Sequence, residues 1–261
     1  MLEPVQYALG GGAGVLVGFT LGLVGGGGSI LAVPLIVYLV GVSNPHVAIG
    51  TSAFAVAVNA AVGLLSHARA GTVKWRCGGM YATAGILGAL MGSTFGKLID
   101  GQKLLFLFAL LMLGVGVLML RGRGNPGEPG AECNRAKAPK VLGFGLATGV
   151  VSGFFGIGGG FLIVPGLIGS TGMPILNAIG TSLVAVAAFG LTTAFNYALS
   201  GYVEWGLALV FILGGAMGSY AGMRAAQHLS NRSGQLATVF AAIIFIVASY
   251  MLFRSASALL A

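Results

Sequence analysis

A glycine-rich break in otherwise apolar sequence occurs twice in this chain, as GLVGGGGSILAVP at 22–34 and GFFGIGGGFLIVP at 153–165. Hydrocarbon gives exposed backbone groups no hydrogen-bond partner. Such a break is tolerated only where the freed groups find one in protein, ligand or cavity water. One break per half is the pattern of a duplicated bundle whose discontinuous helices meet at a shared site near the middle of the membrane.

The surrounding composition fixes the medium. Of the 261 residues 57% are hydrophobic and 7% charged, against about 25% charged in a soluble domain. Apolar runs of spanning length lie at about 5–24, 46–66, 77–96, 104–120, 141–155, 177–198, 205–223 and 235–253. Two shorter runs, 29–42 and 160–170, follow the glycine cassettes. Each reaches roughly 20 Å or less, too short for a full crossing, and reads as a half-helix or re-entrant segment. The expected fold is an all-α integral membrane protein of two homologous halves, with about eight transmembrane helices and two short glycine-broken half-helices. Ten spans with inverted repeats is the alternative.

Three segments follow from the pattern: a first repeat over 1–120, a polar linker over 121–140 with three prolines, and a second repeat over 141–261. AIGTSAFAVA at 48–57 matches AIGTSLVAVA at 178–187 in eight of ten positions. Gly71, Val73 and Trp75 answer to Gly201, Val203 and Trp205. Glycines four apart (Gly10, Gly14, Gly18, Gly22; Gly145, Gly149, Gly153) line one helix face and read as close-packing surfaces. Trp75 and Trp205, at helix entries, read as headgroup anchors.

The net charge of +8 belongs to loops between spans, where basic residues set orientation and meet lipid headgroups, so no nucleic-acid partner is implied. With eight crossings the Lys and Arg count is nine against four and puts both termini and the linker in the cytoplasm. With ten it is ten against three and moves the termini outside. The N-terminus carries Glu3 and lacks the basic segment of a cleavable signal, so position 1 reads as the start of the mature chain. Cys77 and Cys133 show no metal-ligand spacing and read as free thiols.

No Lys or Arg stands mid-span, so a small anion inside the bundle would rely on helix N-termini, whose amides and dipoles attract negative charge. The cassettes supply them. Gly25, Gly27 and Gly28 in the first copy and Gly156, Gly158, Gly159 and Gly160 in the second would form tight, φ-positive turns with amides free to donate. Ser29 would cap the first short helix or donate to the ligand. The competing reading is that these glycines only let a hairpin pack. Thr51, Ser52, Thr181 and Ser182 open the following helices. A ligand-facing role and back-bonding to their own helix are equally open. Asn59 lies mid-span, where an unpaired amide is costly, and needs a partner. Asn196, near the end of a span, completes the candidate set. Asn196 answers to Ser66 in the repeat, and Tyr197 to His67.

The doubled G-x-x-G-x-G-G-G cassette, its trailing apolar-proline stretch and the doubled A-I-G-T-S resemble the TauE/SafE family of sulfite exporters and anion permeases, over nearly the whole chain. The resemblance implies a bacterial inner-membrane permease whose partners are a small anionic solute of the sulfite or sulfonate class and membrane lipid. It leaves an oligomer open. The residues call for no cofactor, metal or catalytic group. The acids Glu3, Asp100, Glu128, Glu132 and Glu204 lie in the linker or near chain and span ends, and no phosphate loop or Rossmann spacing is present. The expected function is a secondary transporter or permease of small anions with a midplane site between the repeats. The alternatives are a non-transporting subunit or sensor and, further off, a membrane enzyme.

Overall fold

The computed structural model describes residues 3–121, 133–134, 136–156, 160–229 and 233–260. Among these the chain is helical throughout. Helix α1 covers Pro4–Val24. A short composite helix follows, here called α2, built of a 3₁₀ run Gly25–Leu31, one α turn Ala32–Pro34 and a π turn Leu35–Leu39. Then come α3 (Pro45–Arg69), α4 (Trp75–Leu98), α5 (Gly101–Arg121), α6 (Ala138–Phe155), α7 (Gly160–Thr171), α8 (Ile175–Ala198), α9 (Trp205–Leu229) and α10 (Ser233–Leu260). The expected runs are all present, and the two expected half-helices are the short elements α2 and α7.

Which way each helix runs follows from its contacts. Gln6, at the start of α1, donates from Nε2 to the Val40 carbonyl at 3.0 Å, so α2 folds back to the face where α1 began. Lys137, before α6, donates from Nζ to the Thr171 carbonyl at 2.8 Å, so α7 does the same on the other face. Lys74 bonds near the start of α8 and Lys97 near its end, which makes α4 and α8 parallel. Tyr38 meets Ser255, which brings the end of α10 to the face of the N-terminus. One face therefore carries both helix-bearing termini and the other carries the linker. The second repeat enters from the face opposite the first. The element inventory is the one read first from the sequence, and the inverted relation is that of the alternative. The nine-against-four count, which needed α1 to begin on the linker side and α8 on the opposite one, gives way to ten against three.

The hairpins α1–α2 and α6–α7 stop inside the layer. Helix α1 runs parallel to α9: a Cβ built on Gly14, Gly18 or Gly22 would strike the carbonyls of Phe211, Gly215 or Ser219. Helix α6 pairs in the same way with α4, Gly145, Gly149 and Gly153 meeting the carbonyls of Tyr81, Gly85 and Ala89. Past the last matched pair α9 continues to Leu229 and α4 to Leu98, while α1 ends at Val24 and α6 at Phe155. Each hairpin helix thus stops about 10 Å short of its partner's end. Helices α3 and α8 cross antiparallel at the centre, with Gly190 against Ala53 and Ala57. Helices α5 and α10 pack chiefly on each other at the side. Outward faces are apolar (Leu213, Met217, Ile246 and Phe253 are all more than two-thirds exposed), as a lipid-facing surface requires.

A second expectation fails. Cys77 and Cys133 are not free thiols but a disulfide, Cα–Cα 5.4 Å, linking the first turn of α4 to the residues before α6. Their sequence separation of 56 residues carried no signal. The parallel packing of α4 on α6 brings both helix starts together and the two sulfurs with them.

Two outcomes are expected. Maleimide-polyethylene glycol should shift the denatured protein on a gel only after reduction; labelling of both cysteines without reductant would reject the bond. Gly18→Leu and Gly149→Leu should each cost about 3 kcal/mol or more, since only backbone lies opposite to give way. Gly12→Ala and Gly143→Ala, where a Cβ meets nothing within 4 Å, should leave the thermal midpoint in detergent within about 2 °C of the parent.

Candidate functional site

The two cassettes are built differently. In the first, Gly25, Gly27 and Gly28 lie in the 3₁₀ run, and no residue there takes a positive φ. Gly28 presses on α1 so closely that a Cβ would meet the Leu21 amide and the Thr20 backbone. The Thr20 hydroxyl lies 3.3 Å from the Gly28 carbonyl and 2.9 Å from that of Val17. Ser29 is buried within the run, and the cap position of the α turn that follows is Leu31, so Ser29 does not cap that turn. In the second cassette Gly156 ends α6 in the left-handed region at φ +66°, where a side chain would be strained, and Gly160 opens α7. Gly158 and Gly159, the other two glycines expected there, lie outside the described residues. The 25–31 run packs against α7, so the two short helices meet.

The Gly-Thr-Ser motifs turn out to bind the other repeat. Thr51 Oγ1 accepts from the Glu204 amide at 2.9 Å, and Thr181 Oγ1 accepts from the Lys74 amide at 2.9 Å. Those amides stand immediately before Trp205 and Trp75, so each threonine receives an N–H at the start of a helix of the opposite repeat. Gly50 abuts the Tyr202 carbonyl and Gly180 abuts Thr72, with no room for a Cβ. Ser52 donates to the Ile49 carbonyl at 2.9 Å and Ser182 to that of Ile179 at 2.7 Å. That is the back-bonding alternative. The A-I-G-T-S and G-x-V-x-W segments, noticed separately in the sequence, are thus halves of one joint that occurs twice. Trp75 and Trp205 are 58% and 55% exposed at the helix starts beside it.

Asn59 and Asn196 have different surroundings. Asn59 is buried on α3 against Gly215 of α9, and neither its amide nitrogen nor its oxygen has a hydrogen-bond partner. The partner the sequence demanded is absent in this conformation. Asn196 lies near the terminal-face end of α8. It donates to Ser93 Oγ at 2.6 Å and Thr94 Oγ1 at 3.1 Å, and its side-chain and main-chain oxygens accept from Lys97 Nζ at 2.9 and 3.0 Å.

A cavity of about 80 Å³ opens between α1, α3, α8 and α9 in the linker-face half, beside the first cassette. Leu21, Gly63, Ser66, His67, Ser219 and Met223 are among its walls. Asn59 and Gly215 lie one helical turn further in, on the same stripes of α3 and α9. His67 Nδ1 is 2.9 Å from Thr72 Oγ1, which ties the cavity wall to the joint at Gly180. Sequence reasoning also passed over Ser152 and Thr193, buried hydroxyls without partners. Single hydroxyls on apolar helices carry no mark that separates them from those bonding their own backbone.

Comparison with known proteins identifies a family. The family model described as sulfite exporter TauE/SafE matches residues 11–251. A probable membrane transporter protein of Xylella fastidiosa (strain Temecula1) is 53% identical over 253 residues, covering 96% of each chain. The probable membrane transporter protein YunE of Bacillus subtilis is 26% identical and covers 84% of this chain and 88% of its own. A probable membrane transporter protein of Methanocaldococcus jannaschii is 24% identical over 91% of this chain and 94% of its own. No solved structure matches. Matched along nearly its whole length, the chain belongs to the TauE/SafE sulfite exporter family of membrane transporters.

Proposed function

We propose that the protein is a secondary transporter or facilitator of small anions, of the sulfite, sulfonate or related organic class, in a bacterial inner membrane. The observation that carries this reading is the inverted pair of hairpins that break inside the layer and meet through their short helices. Broken helices of this kind bring helix N-termini, with their amides and positive dipole ends, to a solute within the bilayer. The linker face is flanked by ten of the thirteen basic residues, the distribution of a cytoplasmic side, whereas the Cys77–Cys133 disulfide on the same face favours an oxidising one.

Movement follows from which contacts are rigid. The pairs α1–α9 and α4–α6 are locked by rows of glycine–backbone contacts along their length, whereas α3 and α8 share a single one, Gly190 on Ala53 beside Ala57. Rocking of one locked pair against the other about α3–α8 would open the linker-face cavity and its inverted counterpart in turn. Asn59 faces the solute in this cycle: its unpaired amide gains a partner when the anion enters from the cavity above it.

Proteoliposomes carrying the purified protein should take up radiolabelled sulfite saturably, with competition from other small anions. No flux for sulfite, sulfonates or small carboxylates in vesicles holding monodisperse protein would reject the proposal. Asn59→Leu, close to isosteric, should lower flux at least tenfold while the thermal midpoint holds or rises, since an unpartnered buried amide costs about 1–3 kcal/mol. Unchanged flux would remove Asn59 from the solute's path.

A further inference from the structure

The inverted symmetry holds down to single contacts. Gly22 against the Ser219 carbonyl repeats as Gly153 against that of Ala89, and Gly18 against Gly215 as Gly149 against Gly85. The Thr51–Glu204 bond repeats as Thr181–Lys74. Each wall residue of the linker-face cavity therefore has a counterpart in the terminal-face half. Leu21 corresponds to Ser152, Gly63 to Thr193, Ser66 to Asn196, His67 to Tyr197 and Met223 to Ser93. At three of these five positions, Ser152, Thr193 and Ser93, the terminal-face side chain is a hydroxyl where the linker-face residue is apolar.

Three of these groups are anomalous. Ser152, Thr193 and Tyr197 are each 0% exposed, and none of their hydroxyls has a hydrogen-bond partner. The other buried hydroxyls around the joints, on Thr51, Ser52, Thr181 and Ser182, are all engaged. Thr193 and Tyr197 stand four apart on one face of α8. The Tyr197 oxygen reaches α4, 3.3 Å from where a Cβ on Gly96 would be, and Gly96 itself rests on the Phe154 carbonyl of α6, two residues past Ser152. Beside them stands Lys97, its Nζ 6.0 Å from the centre of the Tyr197 ring. Its bonds go to neutral acceptors only: the Asn196 oxygens and Ser200 Oγ at 2.9 Å.

We propose that Ser152, Thr193 and Tyr197, with the Lys97–Asn196 cluster beside them, form a subsite for a small oxyanion in the terminal-face half of the protein. This rests on the anion-transport reading above and names the groups that hold the solute when the cycle opens that half. Three O–H donors from two helices satisfy the oxygens of a compact anion, and Lys97 sets the sign of the charge. In the present conformation the subsite is plugged: the counterpart of Asn59 is Phe189, which fills the space at Gly85 and stacks on Tyr81 at 6.3 Å.

The test is equilibrium binding of ³⁵S-sulfite and ³⁵S-sulfate to the full-length protein in detergent, for the parent and for Ser152→Ala, Thr193→Val and Tyr197→Phe. Each variant should raise Kd about tenfold for at least one anion, as loss of a hydrogen bond to a charged group does. The ligand-free thermal midpoint should hold or rise, because an orphaned hydroxyl has been removed. If the parent binds and all three variants keep its Kd, the subsite is overturned and the transport reading stands. If the parent binds neither anion and transports no sulfite, sulfonate or small carboxylate, both fall.

Discussion

Close approach of backbone to backbone at glycine is the constraint on which this bundle depends. In lipid no hydrophobic force drives helices together, so association relies on packing. The α1–α9 and α4–α6 seams place glycines of both helices against carbonyls of the partner. Those seams join a helix of one repeat to a helix of the other, so the rigid units of the molecule are not its sequence repeats. They also explain how α1 and α6 can end inside the layer: each is held along its length by a longer neighbour.

The Gly-Thr-Ser joints add a second cross-connection. Each places a threonine hydroxyl on an N–H just before a helix whose first amides lack intrahelical partners. The price is that Thr51 and Thr181 are occupied by protein, which leaves recognition of a solute to other groups. Asn59, Ser152, Thr193 and Tyr197 are buried with unused hydrogen-bonding capacity, and that combination is costly unless something outside the chain uses it.

Much of this was legible in the residues. The helix runs, the two short helices and the doubled motifs follow from apolar run length and from glycine spacing, which are local properties. Sidedness was not legible, because basic residues favour the linker face under either crossing count and the two are separated by long-range contacts such as Gln6–Val40 and Lys137–Thr171. The partners of Thr51 and Thr181 were hidden for a related reason: hydrogen bonds spanning 153 and 107 residues leave no periodic trace. Capping was one of two readings for Ser29, and a 3₁₀ run in place of the expected turn moves the cap position to Leu31. The surplus of hydroxyls near the second cassette becomes visible only when Ser152, Thr193 and Tyr197 are compared with Leu21, Gly63 and His67 at the inverted positions.

The bond between Cys77 and Cys133 has a topological consequence. It closes a covalent ring that runs through α4, across to α5 and back by way of the linker. Helix α5 rests chiefly on α10, at the rim of the molecule, where sideways diffusion into the lipid would otherwise cost it few neighbours. As a member of a closed loop whose far side is the glycine-locked α4, it stays moored to the protein's interior even if its grip on α10 loosens.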